Sequence, residues 1–223
     1  RNKLVEVFGG PSQAKATCQL LPPKFAGYSR YCPYTTGPPD GPYHGPAFAK
    51  ALQLVDESGT RGMPVIIHSP LFEAIPAINA YFKQVLGQLG YKVTIHQMPD
   101  TPSTDDFLHN PHNHVQVQTA GWAMDFPLAS NFYDAVVACR ALSNYSEYCN
   151  RGLDQRAVTA TTLMATDPGA ALRDWTQIDQ TITDQALVVP MFNPIASTFV
   201  SASVGNCPIN QISGALLSPL WVR

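Results

Sequence analysis

The chain has 223 residues, of which 45% are hydrophobic and only 13% are charged, with a formal net charge of -2. Charges so few and so nearly balanced leave no basic surface for nucleic acid or anionic lipid. The length and apolar content suffice for a real core in one large domain or two small ones, and no apolar run is long enough to span a membrane.

Residues 1–45 are irregular by pattern and dense in Pro, Gly and Tyr, with Pro22-Pro23, Pro33, Pro38-Pro39 and Gly41-Pro42. That is more proline than a linker needs, and Phe25, Tyr28, Tyr31 and Tyr34 supply packing surface. An ordered loop layer is expected, with a flexible linker as the alternative.

From Pro46 onward the pattern is regular. Phe48, Ala51, Leu52 and Val55 form a helical stripe that stops at Gly59, a good position for a left-handed cap. Val65-Ile66-Ile67 reads as a short strand between Pro64 and Pro70. Ile75, Ile78, Phe82, Val85, Leu86 and Leu89 repeat at three and four, with Gly90 as the stop. Tyr91, Val93 and Ile95 then alternate with Lys92, Thr94 and His96 as a half-buried strand. Helix, strand, helix, strand with short joints argues for a mainly parallel sheet flanked by helices.

A further alternating run, Val115-Gln116-Val117-Gln118, reads as a strand that stops by Gly121. Trp122 and Asp125 follow, and a helix is expected from about Leu128 and Ala129. The end of a strand feeding a turn and a helix is where open α/β sheets place ligands. An aromatic face beside a fixed carboxylate suits a ligand that is apolar along its body and cationic at one end. A core tryptophan beside a capping aspartate is the competing reading.

Later, residues 154–164 suggest one helix. Asp167-Pro168 opens a second, a cap followed by proline at the first helical position, with a stripe of Leu172, Trp175, Ile178, Ile182 and Ala186. Leu187-Val188-Val189 and residues 195–200 are strand-like. No internal repeat is visible.

Five cysteines point to an oxidising compartment. Cys139 and Cys149 flank the polar turn Ser143-Asn144-Tyr145-Ser146, and Cys18 and Cys32 flank the proline-rich segment. Pairing in that way closes two short loops, each worth roughly 2–3 kcal/mol in the chain-entropy model. Cys207 is left over. Five reduced cysteines in a cytosolic protein are the alternative.

No catalytic constellation stands out: there is no glycine-rich phosphate loop, no Gly-x-Ser-x-Gly elbow and no His-Glu-x-x-His helix. His109, His112 and His114 lie in an Asn/Pro-rich loop without the helix or supporting partners that orient ligating imidazoles, and read as loop histidines. No metal and no cofactor is assigned. Asn144-Tyr145-Ser146 is formally a glycosylation sequon.

The run Gly121-Trp122-Ala123-Met124-Asp125-Phe126-Pro127, with Asn131-Phe132, Cys139, Asn144-Tyr145 and Cys149, resembles the signature of the family 5 extracellular solute-binding proteins. These are the peptide- and nickel-binding receptors of bacterial ABC importers. Their pattern is Trp-x-x-Asp-Tyr-Pro, an Asn-Phe or similar pair, then two cysteines flanking Asn-Tyr. Leu21-Pro22-Pro23 with Gly27-Tyr28 resembles the family's Pro-Pro-x-x-x-Gly-Tyr turn. Val189-Pro190-Met191-Phe192-Asn193-Pro194 resembles the strand after its last long helix, and Leu216-Leu217 to Leu220-Trp221-Val222-Arg223 its carboxyl end.

The resemblance implies an α/β fold: a periplasmic-binding-protein-like lobe, type II and cluster C-like, with a mixed, mainly parallel sheet flanked by helices. Because residues 1–5 resemble a helix that members reach only after about half their length, the chain is expected to be the carboxyl-terminal half of a receptor. Residues 1–45 would be a cystine-tied opening segment, 46–190 the ligand-binding lobe, and 191–223 a tail returning to a first lobe. The implied function is capture of a peptide or similar small solute between two lobes, with an ABC permease as partner, outside the cytoplasm, with no bond made or broken.

In peptide-binding members the motif aspartate pairs with the ligand ammonium and the tryptophan walls the pocket. That assigns ligand binding to Asp125 and Trp122, with Gly121 and Phe126 beside them. Two positions depart from the pattern. Leu128-Ala129 replaces an acidic-proline step, and Gln116, Gln118 and Thr119 stand where some peptide receptors hold the far carboxylate with arginine. Two rival classes are a solute-sensing domain of a regulatory or signalling protein, and a secreted hydrolase with an unrecognised nucleophile.

Overall fold

The computed structural model describes residues 1–99, 101–110, 112–210 and 214–222. It opens with helix α1 (Asn2–Val7) and strand β1 (Ala14–Ala16), followed by a long stretch without regular elements. Helix α2 (Phe48–Ser58) ends where Gly59 adopts φ 67°, the left-handed cap that glycine accepts without a Cβ clash. Strand β2 (Pro64–Pro70), helix α3 (Ile75–Gln88) and strand β3 (Lys92–Met98) form one right-sized parallel unit, followed by helix α4 (Pro102–Leu108) and the short strand β4 (Val117–Gln118).

These strands make a three-stranded parallel sheet in the order β3-β2-β4. In register, Val65, Ile67 and Val117 share one face with Val93 and Ile95, while His68 and His96 point to the other, where the Phe107 ring of α4 lies against both imidazoles. Helix α3 packs across β2 and β3. It also fastens the sheet's carboxyl edge, because the buried Asn79 donates to His68 O (3.3 Å) and accepts from Thr119 Oγ1 (2.6 Å). The fold is therefore mixed α/β, with a small parallel sheet flanked by helices.

A second, helical layer follows: α5 (Ala129–Val136), α6 (Arg151–Leu163) and α7 (Pro168–Asp184). Phe132, Tyr133, Leu153, Ala157, Trp175, Ile178 and Ile182 form its core, together with Leu21 from the opening segment. Each fully buried large apolar side chain there is worth about 1.5–3 kcal/mol. Asp167 caps α7 by accepting from Ala170 N at 2.9 Å, with Pro168 in the first turn. Helix α6 begins earlier than its sequence suggests. Asn150 is the cap, accepting from Leu153 N, and Asp154 instead accepts from the Tyr133 hydroxyl at 2.7 Å.

The opening segment is packed onto this layer. Phe25 meets Phe132 edge-on with ring centroids 5.3 Å apart, and the Thr176 hydroxyl donates to Gly27 O at 2.8 Å.

Neither strand-like run after α7 forms a strand. Ala186 turns the chain at φ 51°, and Leu187 and Val188 pack onto the helical core. The strand is instead β5 (Phe192–Pro194), antiparallel to β1 with Ala16 opposite Phe192. The last ladder contact is Ile195 N to Gln13 O at 2.7 Å. Beyond it residues 196–200 have no neighbouring strand among the described residues, and Phe199 is 93% exposed. An alternating pattern needs a partner edge to become a strand, and here none is offered. The tail carries two small antiparallel pairs, β6 (Val204–Gly205) with β9 (Trp221–Val222), and β7 (Ile209–Asn210) with β8 (Gly214–Ala215). Within the expected tail 191–223, residues 211–213 and 223 lie outside the described residues.

Candidate functional site

The site grows from the carboxyl edge of the parallel sheet. Strands β2 and β4 run parallel, so Pro70 and the chain leaving Gln118 reach the same edge. After Thr119 is held by Asn79, the backbone passes Gly121 with alternating burial. Trp122 and Met124 turn toward the helical core, while Gly121, Ala123 and Asp125 face outward. Gly121 is not demanded by packing, since a Cβ there meets nothing within 4 Å.

Asn131 holds the outward loop together. It is 5% exposed and sits three residues into α5 from the Leu128 cap position, which offers no capping side chain of its own. Its Oδ1 accepts from Trp122 Nε1 and from the Asp125 backbone N–H, both at 3.0 Å, and its Nδ2 donates to Asp125 Oδ2 at 3.1 Å. Asp125 itself is exposed and forms no ion pair among the described residues. Phe126, 43% exposed, stands beside it, and Pro127 and Leu128 complete the turn into the helix. The structure thus brings Trp122 and Asp125 onto one clamp, with Gly121 and Phe126 as exposed neighbours in the same loop.

The charge along this segment of the sequence is one-sided. Between Lys92 and Arg140 there is no lysine or arginine, while Asp100, Asp105, Asp106, Asp125 and Asp134 all fall there. The stretch that carries the site is thus acidic within a chain of net charge -2.

Below the loop the structure is pinned by a cystine. Cys139 pairs with Cys149, and Cys18 with Cys32, while Cys207 is unpaired. Inside the 139–149 loop, Asn144 is buried and its Nδ2 donates to the carbonyls of Val137, Ala138 and Tyr148 at 3.3, 3.1 and 2.7 Å. The sequon asparagine is a loop brace, and the folded chain presents no free amide there. A small apolar crevice lined by Leu128, Ala129, Ser130, Met164, Leu172 and Trp175 lies within the helical layer and includes neither Trp122 nor Asp125.

His109 Nε2 lies 3.0 Å from Leu142 O, and its ring is 4.9 Å from that of Tyr145. Among the described residues no group of three or more His, Cys, Asp or Glu gathers to hold a metal. No helix among them is long and apolar enough to cross a membrane.

No protein-family model matches the chain, and no curated protein matches its sequence. Solved structures do. A clavulanic acid biosynthesis oligopeptide-binding protein matches with TM-score 0.80 at 18% identity, over 98% of this chain and 41% of its own. The murein tripeptide-binding protein of Escherichia coli matches with TM-score 0.78 at 17% identity, over 100% of this chain and 43% of its own. A Pseudoalteromonas dipeptide-binding protein, solved in complex with Met-Leu, matches with TM-score 0.72 at 17% identity, over 95% of this chain and 41% of its own.

This chain has the fold of part of a peptide-binding protein. It spans about two fifths of the length of the oligopeptide- and dipeptide-binding proteins it matches. At these identities the likeness establishes the fold alone. Within that fold, Asn131 is a residue that reading the sequence left without a role. Its signal was present: an amide side chain in the first turn of a helix can reach back to donors ahead of the cap.

Proposed function

We propose that this chain is the second lobe of a two-lobed, type II, cluster C-like solute-binding protein of family 5. In this reading residues 46–190 form the ligand-binding lobe and residues 191–223 run back toward a first lobe. The complete receptor captures a peptide-like solute with a free ammonium group and presents it to an ABC permease, outside the cytoplasm. Asp125 meets the ammonium, the exposed Phe126 and the part of Trp122 left outside the core flank the solute's apolar body, and Gly121 leaves the approach open.

The observation that carries this reading is the exposed Asp125 carboxylate, without an ion pair among the described residues, held beside a half-buried tryptophan at the carboxyl edge of a parallel sheet. The lack of any lysine or arginine from position 93 to 139 supports an amine-bearing solute without a carboxylate to be matched on this lobe. The two cystines support an exported protein. Open to water on one side, an ammonium–Asp125 pair is worth under about 1 kcal/mol, whereas the same pair enclosed between lobes loses about 3–5 kcal/mol when one partner is removed. This chain by itself therefore binds weakly.

The test is an NMR titration at low ionic strength with Met-Leu amide, chosen because a structural neighbour is solved with Met-Leu. The amide should shift the Trp122 indole resonance, its N-acetyl derivative should not, and Asp125→Asn should abolish the response. Equal shifts from the acetylated and free-amine forms would remove the assignment.

A further inference from the structure

We propose that Asn131 is a positioning residue for this site: it sets the rotamer of the Asp125 carboxylate and the plane of the Trp122 ring together, so that one carboxylate oxygen is presented outward. The proposal rests on the reading of Asp125 as the group that meets a solute ammonium.

Three hydrogen bonds carry it. One amide oxygen serves both the Trp122 indole and the Asp125 backbone N–H, and the amide nitrogen of the same side chain takes Asp125 Oδ2. Asp125 Oδ2 is thereby engaged, while no hydrogen bond reaches Asp125 Oδ1 among the described residues. A free aspartate on an exposed loop samples several staggered χ1 wells. Here the backbone N–H and the carboxylate of one residue are gripped by the two ends of a single planar amide, which restricts both at once. The amide is itself enclosed, because Asn131 is 5% exposed in the first turn of α5, where residues 129–133 are all buried. The indole is locked by the same atom, so the apolar wall and the charge keep a constant spacing. An ammonium arriving at Oδ1 finds the acceptor already aimed, and little freedom is lost on binding.

The side-chain chemistry makes the role separable from mere packing. Asn131→Asp keeps the size of the side chain and the oxygen that accepts twice but removes the N–H donor and sets a second negative charge against Asp125 Oδ2. Alanine removes all three bonds.

The experiment has a ligand-free and a ligand-bound readout on the same samples. Scalar couplings reporting Asp125 χ1 should show one rotamer in the wild type and rotamer averaging in both Asn131→Ala and Asn131→Asp. The indole resonances of Trp175 and Trp221 should stay in place. Affinity for Met-Leu amide should fall about threefold in Asn131→Ala, with an unchanged circular dichroism spectrum. Should Asn131→Ala fail to fold, the uncharged Asn131→Ser, which lacks the amide donor, supplies both readouts.

A single Asp125 rotamer persisting in the folded variants would overturn the positioning role, even where Asp125→Asn abolishes amine binding. Rotamer averaging in variants of a wild type that ignores the amine would uphold the clamp and sink the ammonium reading instead. Averaging accompanied by lost affinity supports both.

Discussion

The Asp179 carboxylate lies 2.8 Å from the Gln19 side-chain nitrogen, a partner 160 residues away in the chain, and is 2% exposed. Its other oxygen accepts the backbone N–H groups of Leu20 and Leu21 at 3.1 and 3.3 Å. Gln19 in turn donates to Ser29 O and accepts from Tyr31 N, at 2.8 and 2.6 Å. One buried acid on α7 thus organises the path of the opening segment.

This arrangement predicts a pH dependence. Burial pushes the Asp179 carboxyl up to about 6, against the pull of its three donors. An acid with a raised folded pKa holds its proton more tightly folded than unfolded. Its contribution is therefore complete below the ordinary carboxylate range and is lost as pH rises through about 6. Urea denaturation of the wild type and Asp179→Asn from pH 4 to 7.5 checks this. The stability advantage of the wild type should shrink with rising pH, at up to about 1.4 kcal/mol per pH unit. A difference that stays flat over that range would contradict the assignment.

Gly27 supplies a second test. It adopts φ 87°, and a Cβ there would sit 2.8 Å from Trp175 Cβ. Backbone conformation and packing both exclude a side chain, so Gly27→Ala should cost about 1–3 kcal/mol. Thermal denaturation of the variant measures it, and an unchanged midpoint would show that the turn carries no such constraint.

The cystine at Cys139–Cys149 closes a loop of sequence separation 10 directly before the Asn150 cap of α6. Replacing both cysteines by serine should cost about 2–3 kcal/mol. In a chain of this size that lowers the melting midpoint by about 4–12 °C. Calorimetry of the double variant under non-reducing conditions gives the figure.

The tail makes a fourth prediction. Phe199, Leu217 and Val222 are 93%, 75% and 73% exposed. Single exposed apolar residues are ordinary, but several in one thinly paired segment add apolar surface that favours association. The chain by itself should bind a hydrophobic dye and associate with rising concentration. Replacing Phe199 and Leu217 by serine should reduce both, as read by dye fluorescence and light scattering. Dye binding that is unaltered in the double variant would place the exposed surface elsewhere.

Much of this was legible in the sequence by itself. The stripe ending at Gly59, the Asp167-Pro168 start of α7, the alternation of β3 and the placing of Trp122 and Asp125 after a strand are local patterns. Each is written within a few residues, because helix and strand periodicity and capping act over one or two turns. The tertiary structure decided what those residues do with partners far along the chain. It paired Phe192–Pro194 with Ala14–Ala16 and left residues 195–200 without a strand. It also buried Asp179 on the same α7 face as Trp175 and Ile182, and put one asparagine amide on both Trp122 and Asp125. Strand pairing, burial of a charge and aim of a side chain depend on which distant surface arrives opposite, and no local periodicity encodes that.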